Sequence, residues 1–342
     1  MRRESEVRIR CLGVLTAVMA VASLAPLPVA GQAPAPAPDT WTPTRTPWGD
    51  PDLSGIWDFR TLTPLERPSE LSGKEVLSDE DAAEYERETL RALDKDRRTS
   101  DGLTAEQDVR NAYNQFWWDY GTKLTEDKRT SLIVDPPDGR VPPLTREAQK
   151  RADARTEALQ RPAHGPEDRT VWERCILGLN TGPPMNPSVY NNNVHLFQIP
   201  GTVVILTEMA HDARIVLMDG RPHLPEDIRQ WRGDSRGRWE GDTLVVDTTN
   251  FTDKTSFRGS GAEMHLVERF TRVGAETLLY EYTIDDPKSF ERTWSAVIPM
   301  SRTEEPMFEY ACHEGNYGMF NLLEGARVQE RLAEEAARTK SK

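Results

Sequence analysis

From residue 194 onward the chain alternates apolar and polar residues in about eight short runs, and nothing of helical length separates them. The runs are VHLFQIP (194–200), TVVILTEM (202–209), ARIVLM (213–218), RWEGDTLVVDTTNF (238–251), MHLVERFTRV (264–273), TLLYEYTIDD (277–286), FERTWSAVIPM (290–300) and MFEYACHE (307–314). Val, Leu, Ile, Thr and aromatic residues fill them, with Gly, Asp and Pro between. A period of two is the signature of half-buried strands. Parallel neighbours need a crossover of a dozen or more residues, so short links favour antiparallel pairing. The pattern predicts a mainly β (α+β) protein: an antiparallel β-barrel or strongly curved sheet.

The barrel's first strand is expected near residues 52–59, where Leu53, Ile56, Trp57 and Phe59 suit a strand and Gly55 permits close approach. Residues 78–160 then switch to helical chemistry, an inserted helical segment. Ser78 precedes a run with acids in its first turn and bases in its last, as a helix dipole prefers. Thr104 and Gln107 form a capping box ahead of DVRNAYNQFWWDYG (108–121), whose Tyr113, Phe116 and Trp117 predict an aromatic face docked on the core. A further helix is expected from Thr145 to about Gln160, and a charged one over 322–338.

At the other end, four arginines among the first ten residues precede an apolar stretch ending near Ala30, which reads as a signal peptide over 1–30. The stretch is shorter than the ~20 residues of a membrane span and contains Pro26 and Pro28, so no stable span is expected in the mature chain. Residues 31–48 alternate Pro with small residues and read as an extended linker, leaving 49–342 as one domain. Cleavage after Ala30 takes the net charge from −13 to −15. Such an acidic chain repels phosphate backbones, so no nucleic-acid partner is expected. Cys175 and Cys312 remain, and an oxidising compartment points to one bridge, with free buried thiols or a catalytic thiol as the competing readings. Periplasm or medium is the expected destination.

Gly55-Ile56-Trp57 resembles the Gly-x-Trp first strand of lipocalin-type barrels, which implies a lipocalin-like barrel with the Trp closing one end. The segments GDPDLSGIW (49–57), WEGDTLVVD (239–247) and YACHEGNYG (310–318) are together similar to a large group of uncharacterised secreted bacterial proteins. That resemblance implies a shared fold and export and brings no activity.

Chemistry therefore has to be sought in the residues themselves. His211-Asp212 interrupts the apolar runs at an expected barrel rim, where the acid either orients the imidazole or caps a solvated turn. His313-Glu314 follows Cys312, whose bridge would pin it. Arg269 and Glu281 lie on neighbouring runs and would bind a substrate head if their faces point inward, which alternation alone leaves open. No His-Glu-x-x-His, nucleophile elbow or nucleotide loop is present, and no organic cofactor is expected. A metal ion would need His211, Asp212, His223, His313 and Glu314 to converge through the fold. Acids 234, 240, 242 and 247 fit turn formation better than calcium. The expected function is an exported barrel enzyme of isomerase, cyclase, hydratase or lyase type, moving protons with His211, Asp212, His313 and Glu314 on a partly apolar small molecule. The alternative is a non-catalytic barrel that holds such a ligand inside.

Overall fold

The computed structural model describes residues 41–96, 104 and 114–340. The signal peptide, residues 31–40 of the linker, and residues 97–103 and 105–113, with Gln107 of the capping box and Tyr113, lie outside the described residues.

Ten strands form one sheet: β1 (Gly55–Asp58), β2 (Ile133–Asp135), β3 (Asn193–Ile199), β4 (Thr202–Thr207), β5 (Asp212–Leu217), β6 (Asp234–Glu240), β7 (Thr243–Thr249), β8 (His265–Arg272), β9 (Thr277–Asp285) and β10 (Trp294–Thr303). Nine of them, β1 and β3 to β10, follow one another around a closed barrel, with β1 pairing both β3 and β10. β1 reaches only Ser301–Thr303 of the long β10, and β2 pairs its beginning at Ser295 and Ala296. Closure removes the exposed edges that an open sheet would present.

Nine is an odd number, and strands in an odd ring cannot alternate all the way round. One neighbouring pair has to run parallel. That pair is β5 and β6, joined by a single registered bridge, Leu217 to Arg236, while every other junction is antiparallel. Residues 218–233 bring the chain back, long enough for the crossover that parallel neighbours require. Gly237 on β6 lets β5 come close, because a Cβ there would run into Met218 Sδ and Val216 Cγ1. The expected antiparallel meander holds everywhere except at this seam.

The alternation decides what points inward. On β8 Leu266, Glu268, Phe270 and Arg272 are buried, and on β9 Leu278, Tyr280, Tyr282 and Ile284. With Trp57, Phe59, Phe251 and Trp294 they fill the lumen with large side chains at 2% exposure or less, apart from Arg272 at 7%. Each fully buried Leu, Ile or Phe contributes about 1.5–3 kcal/mol. This filling replaces the hollow interior expected of a ligand-holding barrel. At one end the Arg272 guanidinium lies over the Trp57 and Trp41 rings and donates to Thr44 Oγ1 and the Asp52, Gly274 and Ala275 carbonyls, tying residues 41–53 to the barrel.

Three helices complete the described fold: α1 (Asp79–Leu93), α2 (Arg146–Gln160) and α3 (Tyr317–Lys340). Ser78 caps α1 by accepting from Asp81 N, and Thr145 caps α2 by accepting from Ala148 N. α1 packs through Ala82 in a small cluster with Leu62, Leu77 and Leu124. Two expectations change. The run MFEYACHE forms no strand, since β1 already occupies the free side of β10. Phe116 and Trp117 sit in a short 3-10 turn at 84% and 58% exposure and do not dock on the core. Among the described residues, no helix is long and apolar enough to cross a membrane.

Candidate functional site

A tight turn between β4 and β5 carries His211. Ala210 and His211 both adopt left-handed backbone, φ 60° and 47°, and Cys175 does so at φ 56°. Left-handed backbone costs a non-glycine residue on the order of 1–2 kcal/mol, and such strain gathers at sites that need a particular side-chain position. The Cys175–Cys312 disulfide spans 137 positions of sequence and holds the C-terminal segment against this turn. The result is a shallow cleft of about 410 Å³. Its walls bring together four of the residues singled out in the sequence, His211, Asp212, His313 and Glu314, with both cysteines and Tyr310.

The pairing inside the cleft differs from the expected one. Asp212 does not orient His211; it forms an ion pair with Arg232, at the end of the crossover 218–233. Burial draws the Arg232 guanidinium down to about 10, and the nearby Arg214 charge adds to that while Asp212 opposes it. Neither the His211 nor the His313 ring has a hydrogen-bond partner among the described residues, and both are exposed at the cleft wall.

Arg269 and Glu281 are not part of this cleft, nor of the interior. They stand opposite each other on β8 and β9, on the outer face, and Arg269 pairs with Glu240 at 2.9 Å. The interior charge pair is on the other face of the same strand. Arg214 meets Glu268 in two hydrogen bonds of 2.5 and 2.9 Å, Tyr280 Oη donates to Glu268 at 2.8 Å, and Met185 N donates to Tyr280 Oη at 3.0 Å. Burial and the Glu268 charge push the Tyr280 hydroxyl well above its ordinary value. The inward face is the one carrying Leu266 and Phe270, because burying them outweighs burying Val267 beside Arg269.

A second polar group lies on the outer wall. His223 Nδ1 is 3.0 Å from Asp234 and its Nε2 3.0 Å from Asp247, while His265 Nε2 is 3.0 Å from Asp247 Oδ2. His223 thereby ties the crossover 218–233 to β6 and β7. Hydrogen bonding to Asp247 raises the His265 imidazole against partial desolvation. Partial burial works to raise Asp247, but His265 and His223 outweigh it and hold the carboxyl below its ordinary value. Sequence spacing gave no signal here, since His223 comes from an irregular crossover. Among the described residues no group of three or more His, Cys, Asp or Glu is arranged to hold a metal ion.

The linkage has a defined sign. A raised histidine stabilises the fold fully below about pH 6.5 and loses that contribution as pH rises through its folded value; the lowered Asp247 contributes above about pH 3.8 and loses it as pH falls through its folded value. The stability advantage of the native chain over His265→Gln is therefore expected to be greatest in mildly acid solution and to fade towards pH 9. Urea titrations across that range check it, and an advantage that grows with pH would contradict the assignment.

Compared with protein-family models, with curated proteins and with solved structures, the chain matches none.

Proposed function

We propose that this is an exported protein that moves protons on a small, partly apolar molecule in the disulfide cleft, as an isomerase or lyase does. One observation carries the reading: His211 and Asp212, about a hundred residues from His313 and Glu314, line the same cleft. Two free imidazoles facing one volume suit acid–base work, one taking a proton from the substrate as the other returns one. In an isomerisation the net change is the shift of a hydrogen, with no oxidant, reductant or further reactant. The backbone strain at Ala210, His211 and Cys175 supports the reading, since it holds these positions where relaxed chain would not. A signal-like N-terminus, a disulfide and the similarity to secreted bacterial proteins support export.

The second reading, binding without chemistry, moves from the filled lumen to the same cleft, and its support is that Asp212 is held by Arg232 and leaves His211 unoriented. Native mass spectrometry of protein purified from the periplasm identifies the bound molecule, and incubation in deuterated water separates the readings. Proton transfer washes deuterium into the recovered ligand, and His211→Gln and His313→Gln abolish that exchange without lowering the melting temperature. A ligand that binds there and stays unlabelled leaves the binding reading; a ligand retained equally by both variants removes the cleft from either.

A further inference from the structure

A larger cleft, of about 840 Å³, lies between α2, the segment 167–174, the loop 253–263 and the turn 286–289. It shares no residue with the disulfide cleft and does not rest on the reading given for it. One of its walls is a compact knot of four residues. Gly261 N donates to Asp286 Oδ2 at 2.8 Å, and Arg151 Nη2 donates to Ser289 Oγ at 2.8 Å. A Cβ at Gly261 would sit 3.4 Å from Arg151 Nη2 and 3.5 Å from Ser289 Oγ, so the two pairs are neighbours.

Their partners are incomplete. Asp286 is 1% exposed, yet its Oδ1 has no hydrogen-bond partner among the described residues. A buried carboxylate oxygen left unpaired costs on the order of 1–3 kcal/mol or more. Arg151 has no carboxylate within ion-pairing distance among the described residues, and its one side-chain hydrogen bond goes to a neutral hydroxyl. A guanidinium lacking an anion thus stands near a carboxylate with one oxygen lacking a donor, and the two do not pair with each other.

We infer that this knot recognises a small zwitterion, an amino acid or short peptide, with its carboxylate on Arg151 and its ammonium on Asp286 Oδ1. A simple anion fits worse, because Asp286 and the cleft's Glu147 and Asp253 would repel it. A simple cation is repelled in the same way by Arg151, Arg155 and Lys254. A molecule carrying both charges satisfies both orphaned groups. The volume lies in the range of small-molecule sites and has room for a dipeptide.

The test uses the full mature chain with L-alanyl-L-alanine, its N-acetyl form and its C-terminal amide, each titrated by calorimetry. Loss of the ammonium leaves the buried Asp286 Oδ1 unpaired, and loss of the carboxylate leaves Arg151 without its anion, so each modified form is expected to bind at least about tenfold more weakly than the free dipeptide. Arg151→Met, an exposed position on α2, is expected to weaken the free dipeptide by a similar factor without changing the melting temperature. Asp286→Asn keeps an oxygen for Gly261 N and is expected to bring the free and N-acetyl forms to equal affinity. No saturable binding by any form, equal binding by all three to the native chain, or full binding by Arg151→Met overturns the inference.

Discussion

Glu268→Gln is expected to destabilise the fold by about 3–5 kcal/mol, the cost of leaving a buried charge without its partner. Glu268 is fully buried and accepts from both Arg214 nitrogens and from Tyr280 Oη. The glutamine keeps the shape and loses the charge, so the Arg214 guanidinium is left in the lumen among Phe270, Leu266 and Tyr280. Removing both charges has a different outcome. Arg214→Met with Glu268→Met is expected to recover most of the loss, because the attraction of a buried pair largely goes to offsetting its own desolvation. Tyr280 Oη still accepts from Met185 N in that variant, so the backbone donor stays satisfied. Denaturant titration of the single and double variants measures both. A double variant as unstable as the single would mean that the network supplies shape that methionine cannot.

Replacing Cys175 and Cys312 by serine is the other large effect. The bridge joins positions 137 apart, and chain-entropy arguments give about 5 kcal/mol for closing a loop of that size. At roughly 2–4 °C per kcal/mol, the melting temperature is expected to fall on the order of 10 °C. The bridge also fixes the segment after β10, which has no strand pairing of its own. Losing it should therefore expose residues 305–316 to protease before the barrel opens. Calorimetry and limited proteolysis check the two parts. An unchanged melting temperature with early cleavage would make the bridge a local fastener.

The barrel was legible because the longer strands alternate strictly between turn residues, as in HLVERFTR and TLLYEYTID. Closure was less so. MFEYACHE has strand composition but no free edge to pair with, because β1, from far earlier in the chain, takes the place beside β10. Which face of β8 turns inward was readable in principle: Leu266 and Phe270 outweigh His265 and Val267, and the charge that matters is then Glu268 and not Arg269. The bridge that pins His313 was legible, but nothing local placed it beside the β4–β5 turn, so the gathering of His211 and His313 was not. The knot around Asp286 did not follow from anything local, for Arg151 comes from a helix more than a hundred residues before the loop and turn that supply Gly261, Asp286 and Ser289.

The odd count of strands also constrains how such a protein can change over generations. A hairpin gained or lost alters the ring by two and leaves one parallel seam where it was. A single strand gained or lost makes the count even, and an even ring holding one parallel pair cannot close. Lineages of this architecture should therefore vary by whole hairpins, with the crossover 218–233 as the one connection that has to stay long.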